Sequence, residues 1–169
     1  KTSSVLPLFK KGSRLDCGNY RPISLLSNIS KLLEKLMYSR FYNFLNVYNC
    51  ISELQFGFRS KHSTSHTLVS ITEKIREALD TGHFACGVFI DLQKAFDTVD
   101  HDILISKLEH YGARGIAKNW FSSYLQNRKQ CVKLNGFESS LSDISYGVPQ
   151  GSVLGPLLFL MYINDLSVS

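Results

Sequence analysis

Three stretches of this 169-residue chain carry side chains that could do chemistry. The first is Phe89-Ile90-Asp91-Leu92-Gln93-Lys94-Ala95-Phe96-Asp97, where a carboxylate directly follows a continuous apolar run. If that run is a buried strand, Asp91 is costly to desolvate unless a cation compensates, and a divalent metal ion is the strongest local compensation. Asp91 is therefore the leading metal-ligand candidate, against the plainer reading of an aspartate that caps the turn after a strand. The second stretch is Gly147-Val148-Pro149-Gln150-Gly151. Its glycines allow close backbone approach to a ligand, and the helix start that follows can meet a phosphate or a base pair; an ordinary turn before a helix is the alternative. The third is a set of cations, Lys10, Lys11 and Arg21, suited to phosphate, with a solvated loop pair as the alternative for the two lysines.

The elements that must position these groups follow from hydrophobic periodicity. Ile29, Leu32, Leu33, Leu36, Met37, Phe41, Phe44 and Leu45 fall on one helical stripe, with Lys31, Glu34 and Lys35 placed opposite. A second helix is expected over 63–80, with Leu68, Ile71, Ile75 and Leu79 inward and Gly82 as its stop. The run 84–90 has the profile of a strand buried on both faces. Asp100 or Asp102 can cap a helix closed by Gly112, and another helix is expected over 116–125 around Trp120. Asn135-Gly136 between 130–134 and 137–144 signals a hairpin, since this pair supplies the positive φ angles of a type I′ turn. A final helix is expected over 152–166. Helix capping explains the cluster of Asp97, Asp100, Asp102 and His101, and the i, i+4 pair His62 and His66 lacks the glutamate of a zinc-protease helix.

Composition narrows the class. A chain with 44% hydrophobic and 20% charged residues sits in the ordinary globular range, and this length buries a core without staples. The longest apolar run, 153–163, is too short to span a bilayer and contains Pro156. Residues 1–61 hold ten Lys or Arg against three Asp or Glu, while 62–169 hold nine against eleven. Such asymmetry favours a polyanion partner for the first third, or a solvated basic face. The four cysteines form no C-x-x-C pair and read as reduced, mostly buried intracellular thiols. Without repeats or linkers, a single unit with lobes is expected, and both termini read as arbitrary cuts.

Taken together and in order, these blocks resemble the reverse transcriptases of non-LTR (LINE-type) retrotransposons. The stretch 89–97 resembles the family's motif A. Lys10-Lys11-Gly12 with Asn19-Tyr20-Arg21-Pro22-Ile23-Ser24-Leu25 is similar to its fingers motif, and Gln55-Phe56-Gly57-Phe58-Arg59 to its next block. Gly147-Val148-Pro149-Gln150-Gly151-Ser152-Val153-Leu154-Gly155-Pro156 resembles motif B, with Ile163-Asn164-Asp165-Leu166 as the tail of its helix. The resemblance covers nearly the whole chain.

It implies an α+β fold, the fingers and partial palm of a right-hand polymerase: 1–82 fingers, 83–112 palm, 113–147 a return to the fingers and 148–169 palm again. It implies an RNA-directed DNA polymerase using an RNA template, a DNA primer and deoxynucleoside triphosphates, working inside the cell in nucleus and cytoplasm and not at a membrane. Asp91 and the Leu92 carbonyl would hold magnesium, or alternatively manganese. Lys10, Lys11, Arg21, Lys94, Ala95, Gln150 and Gly151 would surround the nucleotide, Phe96 would occupy the space of a ribose 2′-hydroxyl, and Phe58 and Arg59 would touch template. Two ions about 3.5–4 Å apart clamp the in-line displacement in such enzymes and need more than one carboxylate. The family supplies the others from a Phe/Tyr-Ala-Asp-Asp hairpin after motif B, and no such sequence occurs here. The segment is therefore expected to lack the remainder of the polymerase and to be inactive alone. A catalytically dead RNA-binding remnant and a maturase-like protein of a group II intron are the alternatives.

Overall fold

The computed structural model describes residues 1–166. Two strands open the chain, β1 (Thr2–Phe9) and β2 (Tyr20–Leu25), followed by helices α1 (Asn28–Val47), α2 (Thr64–Asp80), α3 (His101–His110) and α4 (Ile116–Leu125). Then come β3 (Arg128–Leu134), β4 (Phe137–Glu138), β5 (Ser142–Ile144) and α5 (Gly155–Ile163). The content is mixed, as the α+β expectation required.

One mixed sheet runs in the order β2-β1-β3-β4, with β5 also pairing β3. β1 is antiparallel to β2, with Val5 opposite Ser24 and Leu8 opposite Arg21, and parallel to β3, with Ser4 opposite Cys131. Asn135 and Gly136 have φ of 50° and 83°, so the turn between β3 and β4 takes the left-handed pair that its sequence demands. β1 and β2 carry no clean alternation, and each contains a proline, Pro7 facing Pro22. That composition hid both strands from a periodicity reading.

The helices meet in one core. Phe41 and Leu45 of α1 join Leu104 and Leu108 of α3, Phe121 of α4 and Leu158 of α5, all buried. α5 is apolar nearly all round, which makes it a central rather than a surface helix. Its observed span is shorter than 152–166, because Ser152 folds a turn ahead of it: the Ser152 hydroxyl donates to Pro149 O (2.7 Å) and accepts from Gly155 N (2.9 Å). Asp100 caps α3 as anticipated, accepting from Asp102 N and Ile103 N.

Several expectations are corrected. Residues 84–90 form no strand, and Phe84 and Phe89 are 100% and 90% exposed. A strand exists only where a neighbour completes its hydrogen bonds, and no strand of the described sheet pairs with this run. The apolar stripe of α2 is likewise uncovered, with Leu68 and Leu79 more than half exposed, and so are Ile29, Leu32, Leu33 and Leu36 in the first half of α1. Glu34, assigned to the polar face of α1, is instead 1% exposed. Residues 34, 41 and 45 share one face at helical spacing, so its burial follows from its register with Phe41 and Leu45. All four cysteines are free as expected, but Cys17 and Cys86 are exposed, Cys50 is half-buried and Cys131 alone is buried.

Candidate functional site

The loop 147–151 sits where four parts of the chain converge. Gly147 adopts φ of +85°, and a Cβ there would lie 2.8 Å from Asp97 Cα and 2.9 Å from the carbonyl oxygens of Phe96 and Asp97. Only glycine lets the loop press this closely against the backbone that follows Asp91. Gly147 N donates to Val99 O (2.7 Å) and Val148 N donates to Phe96 O (2.8 Å). The His101 ring nitrogen Nε2 lies 2.7 Å from Gly147 O. On the other side, Ser24 N of β2 donates to Gln150 O (2.7 Å). Gly151 (φ +105°) lies so close to β2 that a Cβ there would be 3.0 Å from Ser24 O.

The Gln150 side chain does not dangle into this space. Its Nε2 donates to Asp97 Oδ1 at 2.7 Å, a charge-assisted bond that fixes the amide's orientation. A cavity of about 280 Å³ opens beside it, lined by Pro22, Ser24, Asp97, Gly147, Pro149 and Gln150. Sequence reasoning assigned Asp97 to capping alone; the signal that could have found it was its place six residues after Asp91 in the block singled out for chemistry.

Phe96 is half-buried against α5, stacked on Phe159 with ring centroids 4.7 Å apart, and meets Phe58 edge-on at 5.9 Å. Phe58 has φ of 57°, so this loop residue is held in a conformation that directs its ring at Phe96. Arg59 is committed locally: its Nη1 donates to Ser52 O (2.8 Å) and Gln55 O (3.3 Å). Lys94, at φ of 52°, forms the tight turn between Asp91 and Phe96, its carbonyl accepting from Asp97 N (2.7 Å), and Ala95 packs against the core.

Arg21 is exposed on β2, on the same strand face as Ile23, whose Cγ2 lies beside Gly151. Two strand residues span about 7 Å, so Arg21 and the loop share one face of the sheet. Lys10 and Lys11 are exposed in the β1–β2 connection, where Lys10 N donates to Asn19 O (2.8 Å). Gln150, Gly151, Phe96 and the Arg21 face are thus brought together. Asp91 and Leu92 lie on the uncovered 84–92 run, and Asp91 makes no hydrogen bond or ion pair among the described residues. No three His, Cys, Asp or Glu side chains gather as a metal site among the described residues. A hard divalent cation needs several oxygen ligands, so Asp91 supplies one at most and the residues present do not make a magnesium site by themselves.

A buried carboxylate stands behind the loop. Glu34 Oε2 accepts from Val153 N (2.7 Å) and Leu154 N (3.3 Å), and Oε1 accepts from the Ser30 hydroxyl (3.2 Å). It satisfies amides just ahead of α5 that would otherwise be orphaned, and so ties α1 to the element carrying Gln150.

The family described as reverse transcriptase (RNA-dependent DNA polymerase) matches residues 9–169. The chain belongs to the reverse transcriptase family. It is 39% identical, over 98% of its length, to the probable RNA-directed DNA polymerase from transposon BS of Drosophila melanogaster. It is 35% identical, also over 98%, to the RNA-directed DNA polymerase from mobile element jockey of the same species, and 37% identical over 88% to that of transposon X-element. These relatives are polymerases of non-LTR retrotransposons, as the motifs implied. This reverse transcriptase segment spans 18% of the length of the BS and jockey proteins. Among its described residues no helix is long and apolar enough to cross a membrane.

Proposed function

We propose that this segment forms the fingers (1–82 and 113–147) and part of the palm (83–112 and 148–169) of an RNA-directed DNA polymerase that extends a primer 3′-hydroxyl with deoxynucleotides. The observation that carries this reading is the Asp97–Gln150 bond beside the Phe96 ring, on a loop stitched to β2. A side-chain amide locked by a carboxylate presents a fixed acceptor to a base pair, and pre-set groups need no reorganisation when the ligand arrives. Phe96, wedged between Phe58 and Phe159, cannot swing aside, so a 2′-hydroxyl directed at it meets a wall. Arg21, Lys10 and Lys11, clustered towards one end of the β1–β2 pair, would meet the triphosphate, with the Lys94 and Ala95 amides and Gly151 contributing backbone donors. Arg59, bound to loop carbonyls, would shape the template-side loop that carries Phe58 rather than contact RNA itself.

Asp91 and the Leu92 carbonyl are assigned as one share of a two-magnesium site, manganese being an alternative, whose other ligands come from outside these residues. Bound there, the ions would stabilise the attacking and leaving oxygens. The polymerase would act on its RNA template in the nucleus and cytoplasm. Primer extension tests the reading. In a complete polymerase containing this segment, Asp91→Asn abolishes extension, Phe96→Ala admits ribonucleotides, and Gln150→Ala slows incorporation; the 169-residue chain alone extends nothing. Full activity of the Asp91→Asn enzyme, or extension by the isolated chain, would refute it.

The basic excess of the first third, ten Lys or Arg against three Asp or Glu over 1–61, supports a second reading, an RNA-binding remnant without catalysis. Its basic first third would bind RNA with an affinity that falls steeply with salt, whereas adventitious sticking through the uncovered apolar faces would not.

A further inference from the structure

A cavity of about 430 Å³ lies away from the Gln150 loop, between the start of β1, the first turns of α1 and the end of α4. Its lining is chemically unbalanced. Arg128 is 5% exposed, and no carboxylate lies within ion-pair distance of it among the described residues. Its Nη1 donates to Tyr124 O (3.1 Å) and its guanidinium lies 5.1 Å over the Tyr124 ring, but its buried Nε has no partner. Lys1 reaches the same cavity, with Nζ 3.3 Å from both Ser123 Oγ and Gln126 O. Partial burial, and after it the neighbouring Arg128, hold the Lys1 ammonium below its ordinary pKa.

The one carboxylate in the lining, Glu34, is already spent on Val153 N, Leu154 N and the Ser30 hydroxyl. The Tyr124 hydroxyl lies beside Glu34 and Ser152 without closing a well-aligned hydrogen bond to either, so it is a second buried polar group without a partner. A buried guanidinium without an anion is costly, and a well-placed anion removes that cost. The rest of the wall is apolar and aromatic: Leu26, Ile29, Leu33 and the face of Trp120, which stacks on Tyr124 at 5.5 Å.

We propose that this cavity binds a monocarboxylate carried on an aromatic or aliphatic body. The planar guanidinium and the apolar, aromatic wall together suit a carboxylate on an apolar body rather than a fully hydrated phosphate. The guanidinium of Arg128 has the planar donor geometry that a carboxylate accepts, and it lines the cavity together with Tyr124. The body of the acid then covers Leu26, Leu33 and the indole. A free organic acid and an aspartate or glutamate side chain beside an aromatic residue share this chemistry. The inference does not depend on the polymerase reading.

Trp120 is the chain's single tryptophan, so intrinsic fluorescence reports this cavity directly. The 169-residue chain is titrated with benzoate, benzyl alcohol, inorganic phosphate and the capped dipeptide acetyl-Asp-Phe-amide. Expected is a saturable change in Trp120 emission with benzoate, with a Kd on the order of 1 mM, and with little response to the alcohol or phosphate. Arg128→Met weakens benzoate by about tenfold or more while circular dichroism stays unchanged. Tighter binding of the dipeptide than of benzoate assigns the site to an acidic side chain; the reverse assigns it to a free acid. Should Arg128→Met fail to fold, Lys1→Met at the rim serves in its place, with a loss of about twofold to threefold. No saturable response, an equal response to benzyl alcohol, tighter binding of phosphate, or unaltered benzoate binding in a folded variant overturns the proposal.

Discussion

Replacing Glu34 by alanine tests whether the α1 carboxylate holds the segment that carries Gln150. The side chain is 1% exposed and accepts from two backbone amides, at 2.7 and 3.3 Å, and from Ser30. Each buried amide left without a partner costs about 1–3 kcal/mol, and hydrogen bonds to a charged acceptor sit towards the upper end. With the small void added, Glu34→Ala should destabilise the chain by about 3–5 kcal/mol. At this chain length each kcal/mol lowers Tm by about 2–4 °C, so the midpoint should drop by roughly 6–20 °C. Glu34→Gln keeps one oxygen for Val153 N and should lose only about 1–2 kcal/mol. Urea and thermal unfolding followed by far-ultraviolet circular dichroism and by Trp120 emission measure both. A Glu34→Ala loss below about 1 kcal/mol would mean the amides find water or another acceptor, and the tie between α1 and α5 would not be the structural anchor described.

Gly147→Ala should cost about 3 kcal/mol or more in urea unfolding, because its Cβ meets backbone atoms at 2.8–2.9 Å, whereas Gly136→Ala, with nothing within 4 Å, should cost only about 1 kcal/mol for its positive φ. The Lys107 ammonium, 2.6 Å from Asp165, holds that carboxyl below its ordinary value; its contribution is therefore present above about pH 4 and is lost as pH falls through the folded-state value. Because Asp165 is 55% exposed, the contribution should stay under about 1 kcal/mol, and Lys107→Met should flatten that part of the stability profile measured by acid titration. A thiol reagent should modify Cys17 and Cys86 quickly and the other two slowly. Burial pushes the Cys50 thiol up, and the Glu138 carboxylate, 3.0 Å from Cys131, does the same there.

The helices were legible because their cues are local: a cap at Asp100, a stop at Gly112, a stripe at 3.6-residue spacing. The β3–β4 turn was legible because Asn-Gly leaves the backbone few choices. β1 and β2 were not, since β1 also pairs with β3 more than a hundred positions away, as Ser4 with Cys131, and Pro7 and Pro22 argue against strands locally. The 84–90 run shows the converse failure: strand-like composition cannot make a strand without a partner edge. At the site, the glycine-rich loop and Phe96 were readable as a pattern, whereas the Asp97–Gln150 bond spans 53 positions and only the folded chain reveals it.

The bare stretch from Phe84 to Ile90 also governs how the isolated chain behaves in the tube. It is seven residues without a charge or a proline, rich in aromatic and branched side chains, outside any helix or strand and open to solvent. Such a segment needs no unfolding to find its like on another molecule and stack into cross-β order. Loss of soluble material should then rise with protein concentration well below the melting temperature. The shelf life of a preparation would be set by that encounter rather than by the strength of the helical core.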